Sequence, residues 1–169
     1  GRFEFRGARS VAAVLILCLL CGESRSEEAP WRVGLARVQI TPEGPMPMCG
    51  YGPRVSDGVL DDLYAKAMAI ESPEGTRAVL VSADLLFFRR DVAEAVAGRI
   101  MERTGLKRRQ VLLNASHTHS GPVVGMNRDL DSIGVPDEQR PRVAAYTRRI
   151  EEQIADLAAA ALRDMQPAL

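Results

Sequence analysis

Apolar and polar positions along the chain first predict three β-strands. The first covers residues 33–40, and the other two, residues 63–71 and 77–84, flank the turn sequence Pro73-Glu-Gly75. This turn predicts a β-hairpin between the second and third strands. Because residues 77–84 are almost continuously apolar, we expect that strand to be buried on both faces.

Two further stretches, residues 90–104 and 143–165, repeat apolar residues at the spacing of an α-helix. The repeated positions are Val92, Val96, Ile100 and Met101 in the first helix and Ile150, Ile154, Leu157, Ala161 and Leu162 in the second. Gly105 stands where a helix terminator is expected. We assign the charged residues of the second helix, among them Glu151 and Glu152, to a solvated face.

A β-branched and aliphatic run that starts at Val111 leads into His117 and His119, the two histidines of the chain. The run predicts a buried central strand, and Ser-Gly-Pro122 predicts a turn after it. Alternate residues of a strand share a face, so both imidazoles can reach one small volume at the strand's C-terminal end. Neutral imidazole is a common zinc ligand. The pattern indicates either a metal site or polar residues that cap a strand.

The order of predicted elements is strand, hairpin, helix, strand and helix, which indicates an α/β domain with a mixed sheet flanked by helices. The stretches 43–58 and 121–138 are rich in glycine and proline and are predicted to be loops. The length of the first loop favours a functional role for it.

The composition narrows the range of partners. The 169 residues hold 22 basic and 22 acidic side chains, which balance to a net charge of zero. No basic surplus suggests nucleic-acid binding. If the first 28 residues are removed, Cys49 remains as a single cysteine, which we interpret as a small buried apolar residue in a loop.

Residues 1–28 have the composition of a secretory signal peptide. Three arginines precede an apolar core at residues 11–22, and polar residues follow it. We therefore expect a secreted or periplasmic protein, with a retained membrane anchor as the alternative. Residues 29–169 begin after this segment and end directly after a helical pattern, so we expect them to form the truncated N-terminal part of a larger catalytic domain.

Five short segments, in this order, resemble the N-terminal part of the neutral, non-lysosomal ceramidases, and the resemblance extends from Val33 to Leu169. The segments are residues 34–42, Met48-Cys-Gly-Tyr-Gly52, Leu63-Tyr-Ala-Lys-Ala67, Val81-Ser-Ala-Asp-Leu85 and Ser116-His-Thr-His-Ser-Gly-Pro122. The ordered set is specific to this family, whereas no single segment would be.

The resemblance implies a zinc amidohydrolase that cleaves N-acylsphingosine to a fatty acid and a sphingoid base. It implies that His117 binds Zn²⁺ and that His119 lies beside the metal as the catalytic residue, hydrogen-bonded to water or substrate. The family's other ligands, a second His, a Glu and a Tyr, lie further along its sequence. We therefore expect residues 29–169 alone to be inactive. A lipid amide substrate is also compatible with contact at a membrane surface.

Other residues near the motif have two interpretations each. Asp84 is expected either to orient an imidazole or to cap a loop, and Ser120 either to donate to the substrate or to form a turn. Val123 and Val124 depart from the glycines that the family shows after Ser-Gly-Pro, and Lys66 stands where the family generally has Arg. These departures leave the reaction type better supported than the substrate.

Two other function classes remain open. An amidohydrolase-type (β/α)₈ barrel also presents His-x-His at the end of a strand, although there it usually lies on the first strand. A secreted binding module, in which the histidines only stabilise a loop, is the non-catalytic alternative.

Overall fold

The computed structural model describes residues 30–125 and 128–168. The signal peptide predicted at residues 1–28 therefore lies outside the described residues. Within the described ranges, no helix is both long enough and apolar enough to cross a membrane.

The described residues form one mixed sheet of five strands in the order β4-β3-β2-β1-β5. The strands are β1 (Trp31–Gln39), β2 (Tyr64–Glu71), β3 (Arg77–Ala83), β4 (Val111–Ala115) and β5 (Gln166–Ala168). The strands β3 and β4 run parallel, whereas the other neighbouring pairs are antiparallel. The predicted hairpin and mixed sheet are thus confirmed. The barrel hypothesis is not supported, since a (β/α)₈ barrel is built from parallel strands.

Three helices accompany the sheet: α1 (Arg90–Thr104), α2 (Arg128–Ile133) and α3 (Arg140–Arg163). Helix α1 has the predicted bounds. It ends at Gly105, whose φ of 71° lets its N–H donate to the carbonyl of Met101. Helix α2 lies in the stretch predicted to be a loop, because six residues are too few to establish a helical period.

Helices α1 and α3 cover one face of the sheet, and small side chains let α3 approach it closely. Strand β2 presents Ala65, Ala67 and Ala69 to the core, all of them buried. The closest approach is at Gly34 of β1, where a Cβ atom would lie 1.8 Å from the carbonyl oxygen of Ala161 in α3. Glycine at position 34 is therefore required by the close packing of α3 against β1, and not by the strand conformation.

The opposite face of the described sheet is open, which corrects two predictions. Leu112 of β4 is 62% exposed and Leu80 of β3 is half-buried, so neither strand is buried on both faces. Moreover, β4 lies at the edge of the described sheet rather than at its centre. A continuous apolar run predicts a strand, but it does not reveal how many of its faces are covered.

The prediction that the charged residues of α3 form a solvated face is also corrected. Glu151 is only 5% exposed, and its Oε2 atom lies 3.4 Å from Nη2 of Arg99 in α1. Arg99 pairs with Glu152 as well, and Arg103 of α1 reaches both Glu152 and Asp156. These carboxylates therefore join α3 to α1 instead of forming a purely solvated face. Burial of Glu151 is compatible with folding because Arg99 neutralises its charge.

Candidate functional site

Both histidines lie in the turn that follows β4 rather than within the strand. The strand ends at Ala115, and one more backbone bond, from Ser116 N–H to the carbonyl of Ala83, extends the pairing at 3.0 Å. His117 then adopts a φ of 62°, and no other non-glycine residue among those described has a positive φ. This conformation costs about 1 kcal/mol or more for an L-residue, and such strain is concentrated at functional sites.

The ring of His117 is oriented by one hydrogen bond. Its Nδ1 lies 2.8 Å from the carbonyl oxygen of Leu86. Because a carbonyl can only accept, Nδ1 carries the proton and donates, and in the neutral ring the lone pair is then on Nε2. Metal-binding histidines generally show this arrangement, with the second nitrogen donating to a carbonyl or carboxylate. His117 is exposed, so Nε2 is accessible to a ligand.

The ring of His119 lies against that of His117. Their centroids are 5.1 Å apart with an interplanar angle of 73°, and the ring of Tyr51 lies 4.8 Å from His119 on another side. The Nδ1 atom of His119 is buried, with no hydrogen-bond partner among the described residues. Buried polar atoms without a partner are rare and call for a functional or structural explanation. The two imidazoles thus share one small volume, as their spacing predicts, although a turn brings them together.

One residue of the site, Arg54, is missing from the sequence-based prediction. Its Nη2 donates to the backbone carbonyl of His119 at 2.7 Å, across a separation of 65 residues. Its guanidinium also lies 5.2 Å from the centroid of the Tyr51 ring. Nothing in the local pattern of a glycine- and proline-rich loop indicates such a contact. The sequence pointed to this loop through its length and its Gly50-Tyr-Gly52 segment, neither of which indicates Arg54.

Cys49 behaves as predicted, as a buried apolar residue. It is 7% exposed within the core, and burial raises the pKa of its thiol above the usual value, despite the opposing charges of Arg89 and Arg54. The thiol is therefore protonated at neutral pH, which excludes it as a ready nucleophile.

Asp84 and Ser120 each make a structural contact, which fits one of the two roles predicted for each residue. The Oδ2 atom of Asp84 accepts a hydrogen bond from the backbone N–H of Tyr64 at 2.9 Å, so the carboxylate ties the end of β3 to the start of β2. The backbone N–H of Ser120 donates to Oγ1 of Thr118 at 3.2 Å, which is a turn contact.

A cavity of about 450 Å³ adjoins the histidine turn. Asp84, Thr118 and Ser120 contribute to its lining, whereas the two histidine rings are not among its lining residues. The small volume that the two imidazoles share is therefore separate from this cavity, which adjoins it through the turn.

The residues that depart from the family pattern lie in two places, the hydrophobic core and the open face of the sheet. Val123 and Val124 are buried in the hydrophobic core, where they contribute to packing. Lys66 is exposed on β2, opposite Arg37 of β1, on the open face of the sheet. Lys66 contributes to the lining of a cavity of about 420 Å³ on that face, and none of the three side chains is among the residues that line the cavity beside the histidine turn.

The donor set of the described residues is incomplete for a catalytic metal. Among the residues at 30–125 and 128–168, no group of three or more His, Cys, Asp or Glu side chains could hold an ion. His117 by itself fits a ligand, because its Nδ1 is engaged by Leu86 and its Nε2 retains the lone pair.

The strained backbone at His117 leads to a first prediction. We expect the His117→Gly variant to be more stable than His117→Ala by about 1 kcal/mol, since glycine adopts a φ of 62° without a steric penalty and alanine does not. Both variants lose the imidazole, so the difference reports only on the backbone. Urea unfolding followed by circular dichroism measures it. Equal stabilities would show that residue 117 is not held in the left-handed region.

Comparison with known proteins supplies the family relationship of this region. Residues 31–163 match the model of the family described as neutral/alkaline non-lysosomal ceramidase, N-terminal. The neutral ceramidase of Pseudomonas aeruginosa is 32% identical over 123 residues, and the match covers 65% of this chain and 18% of that protein.

Solved structures show the same likeness in three dimensions. The crystal structure of neutral ceramidase from Pseudomonas aeruginosa superimposes with a TM-score of 0.69 at 28% identity, over 83% of this chain and 23% of that one. A ceramidase complexed with C2 superimposes with a TM-score of 0.67 at 27% identity, over 82% of this chain and 22% of the other. The chain therefore spans about a fifth of the length of these relatives.

Proposed function

Because the chain belongs to the neutral/alkaline non-lysosomal ceramidase family, we propose that it takes part in metal-dependent hydrolysis of a lipid amide. The substrate class is N-acylsphingosine or a related amide, and the products are a fatty acid and a sphingoid base. The observation that carries the proposal is the pair of imidazole rings 5.1 Å apart, within the residues that match the family.

In this proposal, His117 is the metal ligand. Its Nε2 would hold the ion, since Nδ1 is fixed on the carbonyl of Leu86. Zinc, when bound, polarises an amide carbonyl and lowers the pKa of a water molecule, which provides a nucleophile at neutral pH. Catalytic zinc sites use three protein ligands and one open position, so the proposal requires further ligands from outside the described residues. The family resemblance implies a second His, a Glu and a Tyr.

His119 is the catalytic group of the proposed site. Its Nδ1 is buried beside Gly50, which leaves Nε2 as the nitrogen for a hydrogen bond to water or substrate. An imidazole there can pass a proton to the leaving amine and stabilise the charge that develops on the carbonyl oxygen. The edge-to-face contact between the two rings keeps His119 next to His117, the proposed metal ligand. His119 itself need not bind the ion.

A lipid amide is the proposed partner, and the solved structure of a related ceramidase complexed with C2 supports this class of ligand. The apolar core and preceding arginines of residues 1–28 support export, which would place the protein outside the cytoplasm as a secreted or periplasmic enzyme. Contact with a membrane surface would follow from the location of such a substrate.

The proposal is tested by measuring fatty acid released from N-acylsphingosines with short, medium and long acyl chains. In a form of the enzyme that carries the further ligands, we expect release to stop when a chelator removes the metal and to return when zinc is added. The 169-residue chain serves as the control and is expected to be inactive. Release that resists chelation would refute the metal-dependent mechanism, and lipid binding without release would favour a binding module.

A further inference from the structure

The loop at residues 46–55, the clamp loop, is joined by backbone contacts to the segment that follows the histidines. Its backbone contacts with that segment are the Met48–Pro122 bridge, the bond from Cys49 N–H to the carbonyl of Gly121 at 3.1 Å and the bond from Val123 N–H to the carbonyl of Pro47 at 2.8 Å. These contacts fix the loop relative to the turn at His117 and His119.

The clamp loop is also closed on itself as a short hairpin. Pro47 pairs with Val55 in an antiparallel bridge, and the N–H of Met48 donates to the carbonyl of Arg54 at 2.9 Å. Residues 49–53, which lie between these pairs, therefore form the tip of a short hairpin, and the pairing fixes where this tip lies. A loop with internal and external backbone pairing of this kind can hold a neighbouring side chain in place.

The clamp loop contacts His119 at three points. A Cβ atom at Gly50, whose φ is 117°, would lie 2.7 Å from both Cγ and Nδ1 of His119. The ring of Tyr51 lies 4.8 Å from the imidazole, and Arg54 donates to the His119 carbonyl at 2.7 Å. Backbone and ring of His119 are thus both contacted by one hairpin.

We propose that Arg54 and Gly50 are positioning residues for His119. Arg54 fixes the backbone of His119 through a charge-assisted hydrogen bond, which is stronger than one between neutral groups. Gly50 provides the space in which the imidazole packs, because any larger residue would enter the volume of the ring. Together they keep His119 turned toward His117. That this position of His119 serves catalysis rests on the proposed function. That Arg54 and Gly50 hold His119 in this position does not.

Nuclear magnetic resonance of the metal-free 169-residue chain tests this proposal directly. The signal is the cross-peak between ring protons of His117 and His119, whose centroids are 5.1 Å apart. We expect Arg54→Met to reduce this cross-peak at least several-fold, since a short-range contact is lost when the ring is released. Gly50→Ala should displace the His119 ring signals while it leaves Arg54 in place.

The matched control is Arg142→Met. Arg142 donates to the carbonyl of Pro45 at 2.6 Å, directly before the clamp loop, so its replacement removes a similar bond that does not involve His119. We expect this variant to keep the His117–His119 cross-peak and, like the other two, to keep the fold.

A folded Arg54→Met or Gly50→Ala variant with an unchanged His119 environment would overturn the proposal. Global unfolding of Arg54→Met would also overturn it, because Arg54 would then support the whole fold rather than one side chain. The sample contains neither metal nor substrate. A negative result here therefore leaves the proposed hydrolysis standing, and failure of hydrolysis leaves this positioning role standing.

Discussion

Replacement of His117 by alanine is expected to abolish metal binding and lipid-amide hydrolysis together, in a form of the enzyme that carries the further ligands. The imidazole offers Nε2 to the ion from a ring that Leu86 orients, and alanine offers no donor atom. With one of its protein ligands gone, the site no longer holds the ion in a defined geometry. Metal content by mass spectrometry and kcat measured on the same sample provide the result.

His119→Ala is the matched comparison for this experiment. We expect it to retain most of the metal and to lose rate by about 10²–10⁴-fold, which is the usual contribution of a positioned acid–base group. The two rings lie 5.1 Å apart, so both variants disturb the same region to a similar extent. If His119→Ala loses its metal as completely as His117→Ala, both histidines are ligands and the assignment of roles is wrong.

Replacement of Gly34 by alanine is expected to destabilise the fold by at least about 3 kcal/mol, the upper range for overpacking a core. The added Cβ would lie 1.8 Å from the carbonyl oxygen of Ala161 and 3.0 Å from Cγ of Met165. The nearest atom belongs to the backbone of α3, so relief requires a shift of the helix away from β1 rather than a rotamer change. Thermal or urea unfolding measures the loss.

Gly98→Ala is the control for this variant. Gly98 lies exposed in α1, and a Cβ atom there meets nothing within 4 Å. Alanine favours a helix interior over glycine, so we expect this variant to gain up to about 1 kcal/mol. If Gly34→Ala were as stable as Gly98→Ala, this result would contradict the close approach of α3 to β1.

The sequence alone determined the longer local elements and the family. Helix α1 has the predicted bounds because its apolar period is strong and Gly105 provides a left-handed terminator. The hairpin of β2 and β3 follows from the turn sequence between two apolar strands. The ordered segments that end at Ser116-His-Thr-His-Ser-Gly-Pro122 pointed to the ceramidase family, which the family model confirms.

Only the tertiary structure decided the environment of these elements. Leu112 is exposed because both helices cover the same face of the described sheet, and Glu151 is buried because Arg99 of the neighbouring helix is there to pair with it. The spacing of the histidines placed them on a strand, whereas a left-handed residue at 117 brings the rings together in a turn.

The bond from Arg54 to the carbonyl of His119 shows the physical reason most directly. It spans 65 residues, and neither residue carries a local pattern that reports on the other. Periodicity depends on neighbours within one helix or strand, so it predicts which side chains share a face. Which surface that face meets, and which loop reaches the site, depends on contacts between distant parts of the chain, and these exist only once the elements have packed.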